Sequence, residues 1–165
     1  MRFYKIAIPV ILILMVSVVL AISSMQSPLF CNGQWTNCAN AFGDNANRAT
    51  ATATGSANKT GAWRGYNFAI GSGSHIDSVV VRADFFASNI RGKIDVRTSG
   101  DGGITWGPSH IVGGNTAEQT FLIDVTSDTT WTSTKLGNSN FRVNATCFKS
   151  ASGSNPTCNL DWIPV

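Results

Sequence analysis

Few residues in this chain could do chemistry. His75 and His110 are the two histidines, and Glu118 is the one glutamate among nine acidic residues. Cleaving a sugar chain by acid–base catalysis takes two carboxylates about 5–10 Å apart across a cleft. Glu118 falls in a predicted loop. Asp44, Asp101 and Asp128 read as turn caps, and Asp77, Asp84, Asp95, Asp124 and Asp161 fall on predicted strand faces. No Ser/His/Asp order stands out, and neither a phosphate loop nor a redox cysteine pair is present. Oxygen ligands for calcium could come from Asp101 or from the Asp124–Asp128 turn, although the chain has no EF-hand spacing. The expectation is a protein without a catalytic centre, cofactor or dedicated metal.

Cys31, Cys38, Cys147 and Cys158 are the four cysteines. An even count in an exported chain reads as disulfides. The spacings are not C-x2-C and no histidine lies nearby, which argues against zinc. Of the three possible connectivities, the local one is expected: Cys31–Cys38 and Cys147–Cys158. The last two should face the same side of adjacent strands.

The elements that must position these residues are strands. In Ile90–Thr98, Ile90, Gly92, Ile94, Val96 and Thr98 alternate with Arg91, Lys93, Asp95 and Arg97. That period of two marks a half-buried strand. Ser99–Trp106, SGDGGITW, then reads as a turn leading into a new strand, with glycine for positive φ and aspartate to accept backbone N–H groups. The octet resembles the Asp-box, S-x-D-x-G-x-T-W, of sialidase-type propellers and other secreted β proteins. The resemblance implies a folding device in which Asp101 caps the turn, Trp106 packs beneath it, and Ser99 and Gly103 complete it. A single copy implies a hairpin and not a set of propeller blades.

Further strands are predicted at Ala62–Ile70, at His75–Phe86 with Val79, Val81, Ala83 and Phe85 inward, and at Thr120–Thr126. The last two are Phe141–Phe148 and Asn159–Val165. Ile111–Val112 is a possible short strand, and residues 46–60 are either a strand of small residues or a flexible segment. No segment after residue 25 keeps a helical period. About eight short strands between Gly-, Asn- and Ser-rich turns predict an all-β, jelly-roll-like antiparallel sandwich, preceded by an N-terminal hydrophobic signal or anchor helix.

That N-terminal stretch has Arg2 and Lys5 ahead of an apolar run from Ile6 to Ile22, followed by small residues. It reads as a secretory leader, with an uncleaved anchor as the rival, because 17 residues are at the short end for a membrane span. In both readings the rest of the chain is extracellular, and membrane contact would run through residues 6–22. Three regions follow: 1–25 leader or anchor, 26–45 an irregular segment, 46–165 the sandwich. Taking Arg2 and Lys5 from the twelve basic residues leaves ten against nine acidic ones. A nearly neutral domain is a poor match for nucleic acid. Two sequons, at Asn58 and Asn144, are candidate glycosylation sites, and the parity of Asn144 with Arg142 predicts that it is exposed.

From Tyr66 onward the order YNFAIGSGSHIDSVVVRADFF, IRGKIDVRTSGDGGITW, FLIDVTSD–TTW, NFRVNATC and NLDWIPV resembles secreted β-sandwich domains of archaeal, phage and bacterial surface proteins. Similar small sandwiches build extracellular filaments, the archaeal threads and bundling pili. The resemblance implies a homopolymer in which an N-terminal segment completes the next subunit's sheet. Gln26–Trp35 would be the donor here, although Pro28 cannot donate a hydrogen bond and Cys31 is expected to be tied to Cys38. Leu29, Phe30, Trp35 and Phe42 could cover an end of the core or dock onto another subunit. The alternative function is a secreted carbohydrate- or surface-binding module that takes cell-surface glycans, with Trp35 and Trp131 as its stacking candidates.

Overall fold

The computed structural model describes residues 24–165. The leader or anchor assigned to residues 1–25 lies outside them, apart from Ser24 and Met25.

Nine strands form two antiparallel sheets packed face to face. They are β1 Phe30–Gly33, β2 Ala49–Thr52, β3 Lys59–Arg64, β4 Val80–Ala87, β5 Gly92–Ser99, β6 His110–Gly113, β7 Gln119–Asp124, β8 Arg142–Lys149 and β9 Thr157–Trp162. One sheet has the order β1-β3-β8-β5-β6 and the other β2-β9-β4-β7. The only helical pieces among the described residues are two short 3-10 turns, Cys38–Ala41 and Thr126–Asp128.

The alternation that predicted the strands is the alternation that fills the core. In β5, Gly92, Ile94, Val96 and Thr98 are buried, while Lys93, Asp95 and Arg97 lie on the outer face. Ile90, expected to face inward with them, is exposed because it sits in the β4–β5 turn, before the strand begins. In β4, Val81, Ala83 and Phe85 face inward, with Val79 buried just ahead of the strand. The uncertain Ala/Thr segment is a strand, β2. Ala49, Ala51 and Ala53 are buried on its inner side, and the strand pairs with β9 along its edge.

Several expectations are corrected. The strand predicted at Ala62–Ile70 is β3, Lys59–Arg64, and it ends at Gly65, whose φ is +78°. No strand starts inside the Ser99–Trp106 octet; the chain re-enters the sheet only at His110. Cys147 and Cys158 do pair, but not from adjacent strands of one sheet. They lie on β8 and β9, in opposite sheets, so the disulfide crosses the core. Cys31–Cys38 closes the small loop as expected.

The N-terminal segment is used within its own chain. β1 pairs with β3, and Gln26 exchanges two backbone hydrogen bonds with Val165, 2.7 and 2.9 Å. The Trp162 indole N–H donates to the Ser27 hydroxyl, 2.9 Å. The donor segment that strand exchange would require is therefore engaged with its own domain.

Candidate functional site

Three connections leave the sandwich at one end: residues 65–79 between β3 and β4, 100–109 between β5 and β6, and 125–141 between β7 and β8. Antiparallel order brings them together, since each follows or precedes a strand running to that end. Beneath them is an aromatic floor. Phe141 meets Tyr66 edge-on at 5.3 Å and Trp131 at 5.5 Å, and Tyr66 stacks on Phe68 at 5.9 Å. The buried Tyr66 hydroxyl donates to the Ile163 carbonyl, and burial pushes its pKa well above the ordinary phenol value. Such a floor holds the loops above it at fixed heights.

The octet forms a turn closed on itself. The Ser99 hydroxyl donates to Asp101 Oδ1 (2.7 Å) and accepts from the Gly103 N–H (2.9 Å). Asp101 Oδ1 also accepts from the N–H of Ile104 (3.1 Å) and of Thr105 (2.9 Å). Its Oδ2 takes the Thr105 hydroxyl at 2.5 Å. The Thr105 hydroxyl and N–H, then the Ser99 hydroxyl, hold the Asp101 carboxyl far below the usual carboxylate range. Gly103 has a φ of +88°, and a Cβ there would stand 3.3 Å from the Trp106 ring and 3.2 Å from Arg142. The Arg142 side chain donates in turn to the Gly102 carbonyl, 2.6 Å. Ser99, Asp101, Gly103 and Trp106 thus build one rigid loop.

This arrangement leaves little for calcium. Both Asp101 oxygens are turned onto donors of the turn. Asp124 accepts the Thr126 N–H at 2.9 Å, and the two Asp128 oxygens lie 3.0 and 2.9 Å from His110 Nε2. Among the described residues no three His, Cys, Asp or Glu side chains gather as a metal group would require. His75 is exposed and paired with Asp77 at 2.9 Å, on the wall of the larger cleft at this end. Glu118 pairs with Arg48 at 2.7 Å. Two carboxylates, Asp101 and Asp128, do line one cleft at this end, and each is taken up by neighbours of its own chain, Asp101 by Thr105 and Asp128 by His110.

Two clefts open there. One, about 420 Å³, runs between Gly73–Ile76 and Thr126, Thr129–Ser133. The other, about 260 Å³, lies between the Ser99–Gly107 loop and Asp128, Thr129, Trp131 and Lys135. Thr129 and Trp131 belong to both, so the clefts meet over the Trp131 edge. The wall of the first is mostly hydroxyl, from Ser74, Thr126, Thr129, Thr130, Thr132 and Ser133; the second mixes hydroxyls of Thr98, Ser99, Thr105 and Thr129 with the charged Asp101, Asp128 and Lys135. Lys135 Nζ donates to the Thr129 hydroxyl, 2.6 Å, which fixes the wall between them.

The two tryptophans expected to stack on sugar fare differently. Trp35 is 4% exposed, edge-on to Trp63 at 5.7 Å, with its indole N–H given to the Ala145 carbonyl. It is core. Trp131 is 8% exposed and donates to the Val125 carbonyl at 2.9 Å. It lines the clefts as a wall and is not an open platform. The hydroxyl residues around it were not singled out in the sequence, although TSDTTWTST packs them around that tryptophan within nine positions. Of the sequons, Asn58 is exposed in the β2–β3 turn at the opposite end. Asn144, expected to be exposed, is half-buried in the middle of β8 and accepts the Thr146 hydroxyl at 3.0 Å.

No family model matches the chain, and no curated relative does. Two solved structures are similar in outline. One is the CBM32 of AlyQ in complex with 4,5-unsaturated mannuronic acid, at 12% identity and a TM-score of 0.48, covering 86% of this chain and 97% of that one. The other is truncated AlyQ with its CBM32 and alginate lyase domains, at 14% identity and a TM-score of 0.48. There the match again covers 86% of this chain, but only 32% of the longer one.

Proposed function

We propose that this domain is an exported carbohydrate-binding module, which holds glycans at the loop end of the sandwich without transforming them. The observation that carries the reading is the pair of clefts joined at Trp131, one walled mainly by hydroxyl side chains and the other by hydroxyl and charged ones. A sugar ring presents apolar C–H faces and a rim of hydroxyls. The strip of Trp131 left open offers apolar contact to the first, and the surrounding hydroxyls offer donors and acceptors to the second. Catalysis is not part of the reading: the carboxylates at this end, Asp101 and Asp128, are each committed to donors of their own chain. Two disulfides suit an oxidising, extracellular setting. The polymer reading has less to stand on, because the segment it would lend to a neighbour is bonded to β3 and to the C-terminus.

The test is native electrophoresis through gels cast with neutral and acidic soluble polysaccharides. At least one should retard the protein. Thr129→Ala, which removes the hydroxyl common to both clefts, should weaken that retardation about fivefold, the worth of one net hydrogen bond near 1 kcal/mol. No retardation by any polymer, or retardation indifferent to Thr129→Ala and Thr130→Ala, would overturn the assignment. Regular fibres of the purified protein under the electron microscope would return the polymer reading to first place.

A further inference from the structure

Large exposed apolar side chains are mostly scattered over this domain: Ile104, Ile111 and Leu122 stand on different elements. At the N-terminal corner they are not scattered. Met25, Leu29 and Phe30 are 58%, 57% and 57% exposed within six consecutive residues. Leu29 and Phe30 both lie against Gly65, and the Arg64 guanidinium sits over the Phe30 ring at 5.5 Å. Apolar side chains set beside a cation suit a surface of acyl chains under anionic or zwitterionic headgroups.

The sequence says what such a corner would meet. The apolar run Ile6–Ile22 ends four positions before Gln26, whose backbone is fastened to Val165. Only Ser23, Ser24 and Met25 intervene, and four fully extended steps reach at most about 14 Å. A run already at the short end for a bilayer has no slack to lend. A chain that keeps this run in a membrane must hold the Gln26 corner against that membrane's surface.

We propose that Met25, Leu29 and Phe30, with Arg64 beside them, seat the domain on the lipid bilayer that the Ile6–Ile22 run enters. The module is then held flush to the membrane by its β1 corner, not displayed on a stalk. The seat lies at the same end of the sandwich as the clefts, because Phe30 pairs with Arg64 where the β3–β4 connection begins; the two proposals rest on different side chains and are tested separately.

The experiment uses the full chain in phosphatidylcholine–phosphatidylglycerol vesicles containing a lipid with a photoreactive diazirine near its headgroup, followed by peptide mapping of the adducts. Adducts are expected at Met25, Leu29 and Phe30 and not at the more exposed Ile104 and Leu122. The double variant Leu29→Ser, Phe30→Ser should lose those at 29 and 30 while keeping those at Met25 and in the apolar run. Adducts confined to residues 6–22, or spread evenly to Ile104 and Leu122, would overturn the seat. So would crosslinks from Leu29 or Phe30 to a second copy in place of lipid, or a mature native chain that starts near Met25 or Gln26.

Discussion

The disulfide between Cys147 and Cys158 offers the sharpest test of how the sandwich is held. It joins β8 of one sheet to β9 of the other, and both cysteines are fully buried. In the chain-entropy account, a crosslink over a separation of 11 residues removes about 2.8 kcal/mol of denatured-state freedom at 25 °C. Cys147→Ala with Cys158→Ala also empties two sulfur-sized volumes in the core, at roughly 1 kcal/mol for both after partial collapse. The expected loss is about 4 kcal/mol, which in a domain of this size lowers Tm by about 10–15 °C. The Cys31–Cys38 bridge closes a separation of 7 residues between half-buried sulfurs at one margin. Its removal should cost about 2.3 kcal/mol, almost all of it entropic. Urea unfolding followed by tryptophan fluorescence, with thermal melts beside it, measures both variants against the parent. Equal losses from the two pairs, or a loss under about 1 kcal/mol from the Cys147/Cys158 pair, would refute the view that this bridge clamps the sheets together.

Two further outcomes follow from single positions. Asp101 has a folded pKa far below its unfolded value, so its contribution is complete above the ordinary carboxylate pKa near 4 and drains away as pH falls below it. Parent protein should therefore lose Tm more steeply than Asp101→Asn between about pH 5 and pH 2, and parallel profiles would sink that account. Gly61 is buried on β3 where a Cβ would come within 2.6 Å of Trp35 and 3.1 Å of Trp63. Gly61→Ala should cost about 1–3 kcal/mol in urea unfolding and disturb the near-ultraviolet circular dichroism of the tryptophan pair; a variant as stable as the parent would show that the indoles are free to move aside.

Much of the architecture was legible in the residue order, for a physical reason: a strand's two faces alternate with the chain, so inward Val81, Ala83 and Phe85 or Ile94 and Val96 announce themselves locally. Turn chemistry is local too. Ser99, Asp101 and Gly103 satisfy one another within five positions, and the short cysteine spacings made the two bridges readable. The clefts were not legible in the same way. Their walls come from segments around residues 73, 100 and 130, and nothing in a one-dimensional pattern says which connections will share an end of the sandwich. Nor could the sequence say that Trp35 packs into the core against Trp63 while Trp131 edges the clefts, since an indole's exposure depends on what crosses over it. The sheet membership of Cys147 and Cys158 was likewise decided by tertiary pairing: strands that follow one another along the chain crossed to opposite layers, because β8 found its hydrogen bonds with β3 and β5, and β9 found its own with β2 and β4.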